Sequence, residues 1–94
     1  MMETHLDSNS EIVRLIHSLE QSLERIGRDL EEPREIMNGN IGVRIDSKGL
    51  SYIIILENTG IKSVVPKNKL SRTQRLSLLS IAGKQLLKEI LSPS

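Results

Sequence analysis

The chain has no cysteine and almost no aromatic side chains, since Tyr52 is the single aromatic residue among 94. The absence of cysteine excludes a disulfide framework, a thiolate zinc site and a cysteine nucleophile. Without Phe or Trp, a hydrophobic core has to be built from Leu, Ile and Val. The chain also lacks the aromatic platform on which the bases of a single-stranded nucleic acid would stack.

Long hydrophobic runs are absent as well. No run approaches the length needed to span a bilayer, and the first ten residues, MMETHLDSNS, carry no signal-peptide pattern. We therefore expect a cytoplasmic protein without membrane contact. The length is enough for one domain with a modest core, in the size range where self-association often adds stability.

Charge is distributed unevenly along the chain, although the formal net charge is only +1. Residues 1–40 hold four basic and nine acidic side chains, whereas residues 41–94 hold nine basic and three acidic ones. Such a split is typical of a basic ligand-binding end, or of two halves that attract each other within one chain or between two copies. The sequence leaves both explanations open.

A heptad pattern predicts a long amphipathic first helix over residues 9–32, preceded by a disordered arm over residues 1–7. Ser8 and Glu11 fit a capping box at the helix start. Hydrophobic residues then follow at alternating spacings of four and three: Ile12, Ile16, Leu19, Leu23, Ile26 and Leu30. This seam pairs either with another helix of the same chain or with a second copy, and it forms the first part of the predicted oligomer interface. Gly27 lowers helix propensity and indicates the close approach of another backbone.

An antiparallel β-meander of three or four strands is predicted over residues 34–65. Asn38-Gly39 is the signal for a two-residue hairpin turn in which both residues have positive φ. The segment LSYIIILE, residues 50–57, carries hydrophobic residues on both faces, which is typical of a central strand that is covered on both sides. Its residues Ile53 and Ile55 complete the predicted oligomer interface.

A second capping box, formed by Ser71 and Gln74, predicts a last helix over residues 72–91. Leucine, isoleucine and alanine cover most of the circumference of this helix, so we expect a core helix that contacts more than one neighbour. The predicted fold class is therefore α+β, with a long N-terminal helix, an antiparallel meander and a C-terminal core helix in a single domain over residues 8–94.

Signatures of catalysis and of cofactor binding are missing from the sequence. The glycines have the spacing of hairpin turns rather than of a phosphate-binding loop. His5 lies in the predicted arm, and His17 lies on the outer side of the first helix. The cluster of Glu31, Glu32 and Glu35 has no His or Asn at the spacing of a metal site. We therefore predict a protein that is not an enzyme and that holds neither a cofactor nor a metal.

A basic segment connects the last strand to the last helix and is the candidate site for contact with a polyanion. It contains Lys62, Lys67, Lys69, Arg72 and Arg75. Cations at a helix start oppose the helix dipole, but together with the free N–H groups there they fit phosphate. The alternative is that acidic residues of the first helix, in the same chain or in a second copy, are the anions that this segment binds.

These patterns predict a small oligomeric regulatory or adaptor protein, a homodimer or a higher even oligomer, that acts through protein–protein interaction. The alternative function is a nucleic-acid-binding regulatory module that neutralises phosphates through the basic segment. A pI of about 8.1 and the acidic first half of the chain argue against this alternative.

Overall fold

Two helices and a four-stranded antiparallel sheet make up the computed structural model, which describes residues 3–92, with side chains from residue 10 onward. Helix α1 spans Glu3–Arg28. It is followed by strands β1 Arg34–Asn38, β2 Ile41–Asp46, β3 Gly49–Ile55 and β4 Lys62–Val65, a 3-10 helix Lys67–Lys69, and helix α2 Arg72–Leu91. The strands pair in chain order. The predicted α+β order of helix, meander and helix is confirmed.

The register of the sheet follows from the side chains that face the helices. Ile36 of β1 lies opposite Val43 of β2, which lies opposite Tyr52 of β3, and all three side chains are buried. A shift by one residue would turn each of them to the opposite face. The hydrophobic pattern therefore sets the strand pairing.

This pairing moves the first hairpin turn by one residue from its predicted place. Because Asn38 pairs with Ile41, the two loop residues are Gly39 and Asn40 rather than Asn38 and Gly39. Gly39 has a φ of 71°, whereas no residue other than glycine has a positive φ in the part of the chain that is described. A positive φ at the first loop position alone is the pattern of a type II′ turn, not of the type I′ turn expected from Asn-Gly.

Both helices pack on the same face of the sheet. The core between helices and sheet includes Ile16 and Leu23 of α1, Tyr52 of β3, and Leu79 and Leu86 of α2, each no more than 3% exposed. The opposite face of the sheet, which we call the second face, carries the alternate residues of each strand.

The two helices run in the same general direction. Arg75, one turn into α2, contacts Glu20 in the middle of α1. Glu89, near the end of α2, contacts Arg34, which follows the end of α1. The start of α2 therefore lies beside the middle of α1, and α1 extends beyond it.

α2 has the predicted bounds, and its capping box is confirmed. The Ser71 hydroxyl accepts a hydrogen bond from the Gln74 N–H at 3.1 Å, and the Gln74 side chain accepts one from the Ser71 N–H at 2.9 Å. Each side chain thus satisfies a backbone N–H that has no partner within the helix.

α1 differs from the predicted helix at its start. It begins at Glu3 rather than at residue 9, so residues 3–7 of the predicted disordered arm are helical, and Ser8 lies within the helix instead of capping it. Residues 1 and 2 of that arm lie outside the described residues. Because no Pro or Gly precedes Gly27, nothing in the sequence stops the helix at the local cap motif.

α1 also ends earlier than predicted, at Arg28 rather than at residue 32. The Asp29 and Leu30 N–H groups donate to the carbonyl groups three residues before them, which tightens the last turn. Residues 31–33 then lead into β1, and Pro33 keeps the residue before it out of the helical conformation.

Gly27 allows α1 to pack closely on the end of β2. A Cβ atom at this position would lie 2.5 Å from the Ile45 Cγ2 atom and 3.0 Å from the Asp46 carbonyl oxygen. The backbone that approaches Gly27 is therefore one from the same chain.

We expect Gly27→Ala to lower the free energy of unfolding by up to about 2 kcal/mol, because overpacking costs about 1–3 kcal/mol and the gain in helix propensity returns only about 1 kcal/mol. The matched control is Gly83→Ala in α2, where an added Cβ would meet nothing within 4 Å beyond the adjoining residues and the backbone of its own helix. This control should raise stability by up to about 1 kcal/mol. Urea unfolding measures both effects, and a stabilising effect at both positions would contradict the close contact at Gly27.

Candidate functional site

One buried carboxylate joins α1, β3 and the region around the start of α2. Glu20 is 3% exposed and is the one buried charged residue among the side chains described here. Its Oε2 atom accepts hydrogen bonds from the Tyr52 hydroxyl at 2.5 Å and from Arg75 Nη2 at 3.2 Å. The Lys67 Nζ atom lies 3.4 Å from Oε1. We call these four residues the Glu20 cluster.

The neighbours of Glu20 keep its carboxyl group ionised. Burial alone would raise the pKa of Glu20, but hydrogen bonds from Tyr52 and Arg75 and the charge of Lys67 lower this pKa below its ordinary value of 4.5. Burial, together with the hydrogen bond to Glu20, raises the pKa of Tyr52, so the phenol keeps the proton that it donates. The Arg75 guanidinium lies 5.9 Å from the centre of the Tyr52 ring, within range of cation–π attraction.

The chemistry of the Glu20 cluster suits structural linkage. An ionised carboxylate that already accepts from three donors is a weak general base, and a phenol with a raised pKa is a weak nucleophile. Removal of one partner would leave a buried charge without compensation. The cluster therefore ties the elements that contribute to it to one another.

Sequence reasoning did not identify Glu20, although a signal was present. Glu20 follows Ile16 by four residues and precedes Leu23 by three, so it lies on their face of the helix. An acidic residue on a hydrophobic face needs a buried partner. The partners, however, come from residues 32 to 55 positions further along the chain.

Cations of the predicted polyanion site form ion pairs with two different carboxylates of the same chain. Lys67 and Arg75 bind Glu20 of the first helix, and Lys62 binds Glu35 of β1. The other two residues of the site are exposed: Lys69, in the 3-10 helix, and Arg72, at the start of α2. Lys62, Lys67 and Arg75 thus already neutralise carboxylates of their own chain.

A second network of ion pairs lies on the second face of the sheet. Glu35 on edge strand β1 binds Arg44 of β2 at 2.9 Å and Lys62 of the other edge strand at 2.5 Å. Because β1 and β4 lie at opposite edges, the sheet has to twist strongly for these side chains to meet. The hydrogen bond from Lys62 is the main cause of a lowered pKa at Glu35.

The sheet part of the predicted oligomer interface lies on this second face. Ile53 is 3% exposed although both helices pack on the other face. It pairs with Gly42 on one side and with Val64 on the other. Val64 is 69% exposed, and Ile55 is half-buried. On this face Ile53 is therefore buried within its own chain, whereas Val64 at the β4 edge is open to solvent.

The helix part of the predicted interface is used mainly within the chain. Ile16 and Leu23 are buried in the core, and three further seam residues are half-buried against it: Leu19, Ile26 and Leu30. Ile12 is the exception, with 38% exposure. From Ile16 onward the seam therefore meets its own chain, and a contact between copies would have to use residues before Ile16 or other surfaces.

Compared with protein-family models, with curated proteins and with solved structures, the chain matches none of them. Within residues 3–92, no helix is both long enough and apolar enough to cross a membrane. Among the side chains that the structure describes, from residue 10 onward, there is no group of three His, Asp or Glu placed to bind a metal ion. Function is therefore inferred from geometry.

We expect Glu20→Gln to lower the free energy of unfolding by about 2–4 kcal/mol, because it leaves Arg75 without its charged partner. This expected loss of stability is smaller than for a fully buried ion pair, because the Arg75 side chain is 20% exposed. The matched control is Glu24→Gln, one turn further along α1, which should change stability by less than about 1 kcal/mol. Urea unfolding compares the two variants, and similar losses would contradict the role of Glu20.

The lowered pKa of Glu20 also predicts acid sensitivity. A carboxyl group whose pKa is lower in the folded than in the unfolded state stabilises the folded protein. For Glu20 this stabilisation is complete when the pH lies above 4.5, the pKa of the unfolded state, and it is lost as the pH falls through the pKa of the folded state. Glu35 and Asp46, whose pKa values are also lowered, add to the effect. We expect the free energy of unfolding to fall below about pH 4.5, less steeply in Glu20→Gln than in the wild type. Identical pH profiles for the two proteins would rule out this coupling.

Proposed function

We propose that this protein is a small non-enzymatic regulatory or adaptor protein that self-associates and acts through contacts with other proteins. The first part of α1 carries the proposal. Every side chain from Ser10 to Leu15 is exposed, and Ile16 is the first buried one among those described. Three large hydrophobic side chains in this short segment are between 38% and 48% exposed: Ile12, Val13 and Leu15.

This first part of α1 extends beyond the body of the domain. Because Arg75 lies beside Glu20, the start of α2 at Arg72 lies near residue 17 of α1, and residues 3–15 have no α2 beside them. We call residues 3–15 the helix overhang, which is about 20 Å long. The radius of gyration is 14.7 Å, against about 12 Å for a compact domain of this length, as expected for a chain with a projecting helix.

The helix overhang needs a partner on physical grounds. The helix overhang has little of the tertiary packing from which most helices in proteins gain their stability, and Ile12, Val13 and Leu15 remain in contact with solvent unless another surface covers them. The far end of α2 has a similar need, since Leu87, Ile90 and Leu91 are between 55% and 71% exposed. Hydrophobic surface at both ends of the helices supports association with protein.

The polar groups of the chain also favour protein contact over contact with phosphate. Lys67 and Arg75 bind Glu20, and Lys62 binds Glu35. A polyanion would have to displace these carboxylates, and in the case of Arg75 it would leave the buried Glu20 charge short of a partner. We therefore rank the nucleic-acid alternative second.

The proposal predicts a reversible oligomer. At micromolar concentration, we expect sedimentation equilibrium to give twice the chain mass of 10.6 kDa, or a higher even multiple. The mass should fall toward that of one chain on dilution. A mass of one chain across the whole micromolar range would contradict the proposal.

The nucleic-acid alternative predicts a different result. Phosphate contact through the basic segment would give binding that weakens steeply as salt concentration rises. In fluorescence anisotropy with duplex DNA, single-stranded DNA and RNA, we expect no such binding at physiological salt. Salt-dependent binding that is lost in Lys69→Ala/Arg72→Ala, but kept in the matched control Lys48→Ala/Arg25→Ala at exposed positions elsewhere, would favour the alternative over our proposal.

A further inference from the structure

We infer that the helix overhang of one copy binds along the C-terminal part of α2 in a second copy, and that two copies exchange this contact around a two-fold axis. The inference rests on the proposed self-association and names the two surfaces that meet. It differs from the predicted seam contact, because from Ile16 onward the seam packs within its own chain.

The receiving surface is a groove on α2. It has a volume of about 510 Å³ and is lined by Ile81, Lys84, Gln85, Leu87, Lys88 and Leu91. We call it the α2 groove. From Ile81 to Leu91 it follows the helix for about 15 Å, which is close to the length of the helix overhang. Ile81 at one end of this stretch, and Leu87 and Leu91 toward the other, offer hydrophobic surface to the side chains of a partner.

Charge decides which partner fits the α2 groove. The groove carries Lys84 and Lys88 and is lined by no acidic side chain. The helix overhang has three acidic residues and one basic residue, Arg14. Two overhangs would repel each other, and so would two grooves, whereas overhang and groove attract. The favoured occupant of the groove is therefore the overhang of another copy.

The position of Glu11 makes the match more specific. Glu11 and Leu15 are four residues apart and so lie on the same side of α1, with Ile12 beside them. On α2, Lys84 and Lys88 lie on one side in the same way, with Leu91 three residues further on. Each surface thus places hydrophobic residues next to a charge, and the charge of Glu11 is opposite to those of Lys84 and Lys88.

The direction of the helices makes the contact reciprocal. Since α1 and α2 run the same way, the overhang lies at one end of the helix pair and the end of α2 lies at the other. The two surfaces of one copy are therefore too far apart to meet each other. Two copies placed side by side in opposite directions bring each overhang to the groove of the other copy, and such an assembly closes at two chains.

Charge reversal tests the inference. Glu11→Lys and Lys88→Glu should each weaken dimerisation about tenfold at low salt, because every dimer contains the altered contact twice. An equimolar mixture of the two variants should dimerise as strongly as the wild type. In the mixed dimer one contact is unaltered and the other has both charges reversed, so both are attractive.

The matched controls are Glu57→Lys and Lys48→Glu, which make the same charge changes at exposed positions outside both surfaces. They should leave dimerisation unchanged, both alone and when mixed. Sedimentation equilibrium gives the dimer dissociation constants, and native mass spectrometry of chains of different mass identifies the mixed dimer.

The possible outcomes separate this inference from the proposal on which it rests. Weakening by each variant and recovery in the mixture support the exchanged contact. A wild-type dimer that neither variant weakens, or that the mixture does not restore, overturns the contact and leaves self-association standing. A mass that grows beyond two chains with concentration overturns the closed two-fold exchange. A monomer at all concentrations overturns both.

Discussion

The rest of the structure depends on the buried carboxylate of Glu20. A charge in the core is costly unless other groups neutralise it, and here Tyr52, Lys67 and Arg75 supply that neutralisation from other elements of the fold. The first helix, the third strand and the start of the second helix therefore have to assemble together. The same contact sets α2 beside the middle of α1, so that α1 projects past the start of α2.

This arrangement uses three residues of the basic segment in ion pairs within the chain and leaves hydrophobic side chains exposed. Lys67 and Arg75, which in the sequence stand out as a site for a polyanion, are partners of Glu20. The uneven charge of the two halves thus serves, in part, an attraction within the chain. Large hydrophobic side chains, by contrast, stay exposed on the helix overhang and at the far end of α2. The proposed association of copies follows from that division.

Local signals in the sequence were enough for part of the fold. The Ser71 capping box located the start of α2 to the residue, and strand alternation predicted the meander, because both depend on neighbours a few positions apart. The turn at Gly39, the early start of α1 and the partners of Glu20 were not predicted. The turn depends on which residues of β1 and β2 face the core, and the Glu20 contacts join positions far apart in the chain. The sequence therefore predicted the cations of the candidate site by residue, but its anion only as an acidic residue of the first helix and not as Glu20.

Amide hydrogen exchange in α1, followed as a function of protein concentration, tests the central claim most directly. From Ile16 to Arg28 the helix packs on its own chain, so its amides should be protected at every concentration. Residues 10–15 should exchange fast in dilute protein and become protected as copies associate. If the exchange rate of residues 10–15 does not change with protein concentration, no second copy covers the helix overhang, and the account is contradicted.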